Sequence, residues 1–314
     1  MTDLVLKHRF SITLVSAVAA VAAVALVRPR TMIDTGQPPE EYWAEKVRWR
    51  GIADLVIAGD SRTYKSLSPG EMKKALPGRR IYNFGFSAAA YTDEYLQAVE
   101  DVLDPASRAK TILLGVTGSS LTPRAANANG FIEERKPKAE KKQTFLSDDE
   151  RFAPVRLKNL PSLLFSSSRW SRTFYNEYHP DGWIAAWTVP EMPDEALTVY
   201  RDVFHNNRIS PEAEERLLRR VAQWRARGIR VLGFRPPISS AMVKLERDLG
   251  GFDEREFVPR FERAGGIWID VPVDRFESYD GSHLRRDAAV RFSRLMADRV
   301  SAALGSLASA TESK

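Results

Sequence analysis

Three polar residues near opposite ends of the chain have the types and the spacing that nucleophilic catalysis requires. Ser61, in the stretch IAGDSRTYKSL, follows an apolar run and so lies at the carboxyl end of a predicted buried strand. Asp280 and His283 lie three residues apart in SYDGSHLRRDAAV, before the last predicted helix. At that spacing a carboxylate can bind Nδ1 of the imidazole, and Nε2 can then take a proton from a hydroxyl. The three residues predict a serine nucleophile, its general base and a group that orients the base.

Both motifs also have a purely structural interpretation. A serine that follows a strand often caps the next helix, and Asp280 or Ser282 could cap the final helix from a turn. Either motif alone favours this interpretation, whereas the two together favour catalysis.

The rest of the chain offers few other groups for chemistry. Of its four histidines, His8 lies in the predicted leader, and His179 and His205 lie in an aromatic-rich region where a histidine is more often structural. There is no cysteine, and the sequence lacks HExxH, a Gly-rich phosphate loop and the GxSxG nucleophile elbow. We therefore expect neither a metal nor another cofactor.

Alternating strands and helices would position these residues. The 314 residues suffice for one large α/β domain or two small ones, and we favour one. The alternation predicts a parallel sheet of about five strands with helices on both faces, whose ligands bind outside the carboxyl ends of the strands. Strands are predicted at 55–58, 80–83, 111–116, 229–234 and 267–271, and helices at 69–76, 91–103, 211–227, 242–248 and 285–304.

The region 124–209 interrupts this alternation. We interpret it as an insertion at the active-site edge, because long irregular segments inside a domain are usually functional. It carries the aromatic residues Trp170, Phe174, Tyr175, Tyr178, Trp183 and Trp187.

The N-terminal region predicts export. Residues 10–27 are uncharged, and basic residues flank them at Lys7, Arg9, Arg28 and Arg30. Their number is close to the roughly 20 residues of a spanning helix, which predicts a signal anchor in a bacterial inner membrane with the domain in the periplasm. A cleaved signal peptide is the alternative, since Ala23-Val24-Ala25 offers small residues at a suitable spacing. The leader would end at residue 30, a juxtamembrane linker with a short helix would span 31–50, the domain 51–304 and a disordered tail 305–314.

The net charge favours anionic partners. The formal charge is +6, and the densest basic stretch is ERKPKAEKK at 134–142. An anionic envelope glycan or a lipid headgroup would suit it, although a solvated loop is the simpler interpretation. Nucleic acid is not expected in the periplasm.

The two motifs resemble those of a known family. GDS after a first strand, with YDGSHLRRDAAVRFSRLMADRV before the end, is similar to the SGNH/GDSL hydrolase superfamily and to its membrane-anchored envelope branch, which includes alginate-acetylation-type and D-alanyl-transfer-type proteins. The resemblance covers roughly 53–120 and 211–304. It implies a three-layer flavodoxin-like fold, with Ser61 as nucleophile, His283 as base and Asp280 as its orienting partner.

The same resemblance implies an oxyanion hole. Its donors would be the N–H of Ser61, an N–H after the second strand and a side chain after the third. Ala88 stands where the family has glycine, with Gly85 as an alternative register, and Thr117 stands where it has asparagine. A threonine hydroxyl is a less assured donor, and losing one donor costs on the order of a hundredfold in rate. Ser119 or the N–H groups of the Gly118 turn would substitute, or the site is weak or degenerate.

Two arginines are candidates for binding substrate. Arg62 follows the serine directly, and Arg235 ends the fourth predicted strand. If they face the cleft, they would suit a carboxylate or phosphate on the acceptor. The alternative is surface salt bridging.

These observations favour an envelope-facing serine enzyme. Ser61 would attack an acyl ester, and the acyl group would pass to a glycan hydroxyl or to water, so O-acyltransferase and esterase differ only in the acceptor. A transferase would need a multi-span membrane O-acyltransferase as partner, because one spanning segment cannot carry an acyl donor across. The alternative function is non-catalytic glycan binding or a scaffold role on a degenerate site.

Overall fold

The computed structural model describes residues 31–137, 173–272 and 275–312 of the chain. The predicted anchor at 10–27 lies outside these ranges, and so do Trp170 and most of the basic stretch. Within the described ranges no helix has both the length and the hydropathy of a membrane span.

Eight strands and eleven α-helices make up the described part of the chain. The strands are β1 Thr31–Gly36, β2 Leu55–Gly59, β3 Ile81–Asn83, β4 Thr111–Gly115, β5 Thr173–Tyr178, β6 Ile184–Val189, β7 Arg230–Phe234 and β8 Ile267–Trp268. The helices are α1 Pro39–Lys46, α2 Ser61–Ser66, α3 Pro69–Ala75, α4 Asp93–Val102, α5 Pro123–Asn127, α6 Gly130–Arg135, α7 Glu195–Phe204, α8 Pro211–Ala226, α9 Ser240–Leu245, α10 Glu254–Arg263 and α11 Arg286–Glu312.

Five strands form the central sheet, in the order β3-β2-β4-β7-β8, and all of its pairs are parallel. The predicted parallel α/β fold is confirmed. After β3 the chain crosses to the other side of β2 and continues with β4. Ligands of such sheets bind at this change of direction, outside the carboxyl ends of the two flanking strands. Ser61 follows β2 and Thr117 follows β4, so both lie at that edge.

Helices cover both faces of the sheet, as the alternation predicts. Successive residues of a strand face opposite sides; Val56 and Ala58 pack into one apolar cluster, and Leu55 and Ile57 into the other. The first cluster is completed by α4, α8 and α10, and the second by α3 and α11. The domain therefore has three layers.

The segment 31–50 is part of the domain and not a linker. β1 pairs in parallel with β5, which forms an antiparallel hairpin with β6, so the three strands make a second, small sheet. Helix α1 buries Tyr42 and Lys46. Lys46 Nζ donates to the Gly182 carbonyl at 2.8 Å and to Tyr42 Oη at 2.9 Å. The bond to Gly182 anchors the segment to the hairpin turn.

Two further helices differ from the prediction. Helix α11 continues to Glu312, where the sequence predicts a disordered tail from residue 305. Helix α10 has no predicted counterpart; it carries Pro259 inside the helix, which is normally a sign that a helix ends.

Candidate active site

Ser61 is the first residue of α2 and not its N-cap. The cap is Asp60, whose side chain accepts a hydrogen bond from the backbone N–H of Arg62. Before it, the chain turns at Gly59 with φ +150°. A Cβ at this position would come within 2.7 Å of the Gly115 carbonyl oxygen on the neighbouring strand. The turn that places Ser61 at the end of β2 therefore requires glycine.

The structure brings Ser61, His283 and Asp280 together in one hydrogen-bonded chain. Ser61 Oγ lies 3.0 Å from His283 Nε2, although 222 residues separate them in sequence. His283 Nδ1 lies 2.8 Å from Asp280 Oδ2 on the far side of the ring. All three side chains are buried. With the Nδ1 proton directed at the carboxylate, Nε2 is left to accept the serine proton, which is the arrangement of a nucleophile and its base.

The second oxygen of Asp280 holds the loop itself. Oδ1 accepts the backbone N–H groups of Ser282 and His283, both at 2.7 Å. Burial alone would raise the pKa of Asp280, but the attraction of His283 and these hydrogen bonds outweigh it and lower the pKa to about 2. The carboxylate is therefore ionised at neutral pH and can stabilise a positive imidazolium. The turn role and the orienting role of Asp280 coexist on different oxygens.

Two backbone N–H groups beside the triad suit an oxyanion. Ser61 and Ala88 both line the cavity at the triad, and neither donates its backbone N–H to another group in the part of the chain that the structure describes. Ala88 has φ +45°, in the left-handed region that favours glycine. The alternative register is excluded, because the Gly85 N–H already donates to Asn83 Oδ1 at 3.1 Å.

The Thr117 hydroxyl is directed elsewhere. It donates to Asp60 Oδ2 at 2.6 Å, and the fully buried side chain does not line the cavity. Ser119 and Ser120 donate to the same carboxylate oxygen at 3.3 and 3.2 Å. The prediction that Thr117 replaces the asparagine is thus not supported by the geometry, since its one proton is already bound by a carboxylate. Ser119 and Ser120 line the cavity, but their protons are directed at the same carboxylate, so the backbone N–H groups of Ser61 and Ala88 remain the donors at the site.

A small cavity opens beside the triad. Its volume is about 120 Å³, and its lining includes Ser61, His283, Ala88 and Ser119. Beside Thr122 and Arg124, small apolar side chains from α5, α7 and the turn after α5 also line the cavity. These side chains are Ala125, Ala128, Val199 and Val203, with Tyr200 beside them. As predicted, the insertion supplies part of the wall.

Similarity to known proteins is found among solved structures. No protein-family model matches the chain, and no curated protein does. Est24, a carbohydrate acetylesterase from Sinorhizobium meliloti, is similar with 12% identity over 79% of this chain and 98% of its own, at a TM-score of 0.38. An aryl esterase from M. smegmatis is similar with 10% identity, the same coverage of both chains and a TM-score of 0.35. Both similarities concern the path of the backbone, and the chemistry of the present site follows from its own residues.

Arg62 lies behind the nucleophile and does not line the cavity. Its side chain is 1% exposed, and its Nη1 forms an ion pair with Glu246 Oε1 at 2.5 Å. Its Nε donates to Ser282 Oγ at 2.9 Å, next to His283 in sequence, and its guanidinium lies 4.3 Å from the centre of the Tyr200 ring. Arg62 therefore connects the nucleophile's helix, the base's loop and the cavity wall.

Arg235 belongs to the same buried cluster. It binds Glu246 Oε2 at 2.5 Å and Glu254 Oε2 at 2.7 Å. Burial would raise the pKa of Glu246, but the two arginines overcome this and lower it. The structure thus corrects both the substrate-binding prediction and its alternative of surface salt bridges. Both guanidinium groups are buried because two carboxylates, Glu246 between them and Glu254 beside Arg235, neutralise their charges.

The other two described histidines lie away from the triad. The His179 ring stacks on Trp183 at 4.6 Å in the hairpin turn, and His205 follows α7 in an exposed position. Both match the structural interpretation given to them from the sequence.

The sequence does not predict several residues of the site. Glu246 and Tyr200 contact Arg62 from distant segments, and no local pattern marks them. Helix α7 does have a local signal, since Val199 and Val203 recur at the spacing of one helical face. That spacing identifies a helix, but not the side that faces the cavity.

Proposed function

We propose that this chain is a serine esterase or acyl-transfer enzyme of the SGNH type, which works through an acyl-serine intermediate. One observation carries the proposal: Ser61, His283 and Asp280 form a buried hydrogen-bonded chain that opens on a cavity. A helix cap and a turn would not require a serine hydroxyl and an imidazole nitrogen to meet across 222 residues.

Each group has a defined task in the reaction. Ser61 Oγ attacks the carbonyl carbon of an ester while its proton passes to His283 Nε2, and Asp280 stabilises the imidazolium. The N–H groups of Ser61 and Ala88 donate to the carbonyl oxygen as it becomes negative. The imidazolium then protonates the leaving alcohol, which leaves the acyl group on Ser61. Water or an acceptor hydroxyl, deprotonated by the same base, releases the acyl group and restores the serine.

The cavity favours short acyl groups. A volume of about 120 Å³ is slightly smaller than the cavity of about 150 Å³ that holds a benzene molecule. Acetyl to butyryl groups fit within this space, whereas a fatty acyl chain would extend beyond it. The small side chains Ala88, Ala125 and Ala128 provide this room.

The substrate proposed is an ester of the cell envelope. If residues 10–27 are a signal anchor, the domain lies in the periplasm, where O-acylated glycans carry short acyl esters. An acceptor hydroxyl would make the protein a transferase that depends on a multi-span membrane O-acyltransferase for its donor. Water as acceptor would make it an esterase that needs no partner.

The glycan-binding alternative loses part of its support, since three aromatic residues of the insertion are buried, whereas Tyr175 and Trp187 remain partly exposed. It relies on aromatic residues of the insertion that stack on sugars. Phe174, Tyr178 and Trp183 are buried in the domain, and Trp183 Nε1 donates to the Lys65 carbonyl at 3.1 Å. These side chains are used in packing and are not available to a sugar.

Hydrolysis of a series of p-nitrophenyl esters tests the proposal. The purified chain should cleave acetate and butyrate esters, with kcat/KM falling steeply for octanoate. Ser61→Ala should reduce kcat to background. Ser66→Ala is the matched control, because Ser66 is a buried serine of the same helix outside the triad. Equal activity of the Ser61→Ala and parent proteins would refute the proposal.

A further inference from the structure

One face of the small sheet carries an exposed apolar patch. Residues in register across neighbouring strands share a face, and here Ile33, Tyr175 and Trp187 form one row. Val189 lies on the same face, two residues beyond Trp187 on β6. Ile33 is 39% and Val189 is 55% exposed. Among the described residues they are two of the three exposed large hydrophobic side chains, so the exposure is concentrated on this face.

The polar groups of this face are typical of a membrane interface. Tyr175 and Trp187 stack in parallel with ring centres 5.0 Å apart. The Arg286 guanidinium lies 5.6 Å from the centre of the Trp187 ring and pairs with Glu177 at 3.0 Å, with half of its side chain exposed. Tryptophan, tyrosine and arginine beside aliphatic side chains suit the boundary between lipid headgroups and acyl chains, since each combines an apolar body with a polar end.

The chain allows little distance between this sheet and the predicted anchor. The apolar stretch ends at Val27, and β1 begins at Thr31, so only Arg28, Pro29 and Arg30 intervene. Four residue steps span at most about 14 Å even when fully extended. A headgroup layer is roughly 5–8 Å thick on each side of the hydrocarbon. A spanning segment at 10–27 therefore keeps the start of β1 within about 10 Å of the headgroup layer, a distance too short for a long flexible tether.

We propose that the face formed by Ile33, Tyr175, Trp187, Val189 and Arg286, the small-sheet patch, lies against the lipid bilayer that holds residues 10–27. The domain is then docked on the membrane in one orientation instead of moving freely above it. This proposal is independent of the esterase chemistry, since none of these residues belongs to the triad or lines the cavity.

Spin labelling can test the docking directly, because the chain contains no cysteine. The full chain is reconstituted in vesicles of phosphatidylethanolamine with a minority of phosphatidylglycerol. Ile33→Cys and Val189→Cys each carry one nitroxide label. Leu249→Cys is the matched control, since Leu249 is the third exposed large hydrophobic residue, at 43%, and lies outside the patch. The measurement is the collision rate of each label with oxygen, which concentrates in lipid, and with a water-soluble nickel chelate.

The expected result is a ratio of oxygen to nickel collisions at least about threefold higher at residues 33 and 189 than at 249, as for side chains at the headgroup boundary. Equal ratios at the three positions would place the patch in water and overturn the proposal. Broadening between labels of different molecules would assign the patch to a second copy, and exclusion of both reagents would assign it to a protein segment. Either result also overturns it, and so does failure of the chain to remain with the vesicles. Near-UV circular dichroism verifies that each variant is folded.

Discussion

Substitutions of Asp280 can separate its catalytic role from its role in the turn. Its two oxygens have different partners, since Oδ1 accepts two backbone N–H groups and Oδ2 binds His283 Nδ1. In Asp280→Asn the amide oxygen can retain the two backbone bonds, whereas the amide nitrogen now donates to Nδ1. The imidazole proton then moves to Nε2, which can no longer accept the proton of Ser61.

The expected losses of activity and of stability differ in size. A wrong tautomer in a serine–histidine–aspartate site lowers kcat by about 10⁴, which corresponds to about 5.5 kcal/mol of activation free energy. The free energy of unfolding should fall by about 2 kcal/mol, because the charge of Asp280 is lost while the turn hydrogen bonds persist. Asp280→Ala removes both roles. It leaves the buried N–H groups of Ser282 and His283 without an acceptor, and it should cost about 3 kcal/mol of stability or more.

The assay compares kcat for p-nitrophenyl acetate with the free energy of unfolding in urea, for the parent and both variants. We expect Asp280→Asn to be nearly inactive but less destabilised than Asp280→Ala, which should be inactive as well. If Asp280→Asn keeps activity within tenfold of the parent, Asp280 is only a turn residue and the catalytic assignment fails.

Four further predictions concern backbone strain, buried charge, acyl-chain length and pH. Ala88→Gly should keep the activity and raise or preserve the melting temperature, because glycine keeps the N–H and relieves a left-handed backbone that costs alanine about 1 kcal/mol. A lower melting temperature would contradict the strain assigned to Ala88. Glu246→Gln should lower the free energy of unfolding by about 3–5 kcal/mol, since it removes the carboxylate between two buried arginines, and Glu254→Gln, at the more exposed end, should cost clearly less. Val203→Ala should raise the ratio of hexanoate to acetate hydrolysis by about three- to tenfold, and an unchanged ratio would show that α7 does not limit the acyl group. The folded pKa of Asp280, about 2, lies below its ordinary 3.8, so its charge stabilises the fold above pH 4. This contribution, about 2 kcal/mol, is lost as the pH falls through 2. Urea unfolding of Asp280→Asn at different pH values should lack this part of the acid dependence.

The sequence predicts the central sheet and the triad because both depend on local signals. Buried strands appear as short apolar runs between turn residues, and parallel strands converge at their carboxyl ends wherever the runs alternate with helices. Ser61 follows the first of these runs directly. Asp280 and His283 are three residues apart, so their contact requires only a turn. Two local patterns and one topological rule thus suffice to bring three side chains together.

The sequence does not predict interactions that depend on distant partners. Strand β1 looks like a linker because its pairing partner, β5, lies about 140 residues away. Arg62 looks like a cleft residue because Glu246, which buries it, is 184 residues away. Thr117 stands where an oxyanion donor is expected, but its hydroxyl is bound by Asp60 on a neighbouring strand end. In each case the local sequence leaves the partner open, and only the tertiary fold determines which residues meet.

The central claim is that Ser61 carries the acyl group, and covalent labelling tests it most directly. The folded full chain is treated with a fluorophosphonate, digested and mapped by mass spectrometry. We expect one adduct on the peptide that contains residue 61, its absence in Ser61→Ala, and an unchanged adduct in Ser66→Ala. A folded protein that takes up no label, or takes it up equally after Ser61→Ala, would contradict the assignment of Ser61 as the nucleophile.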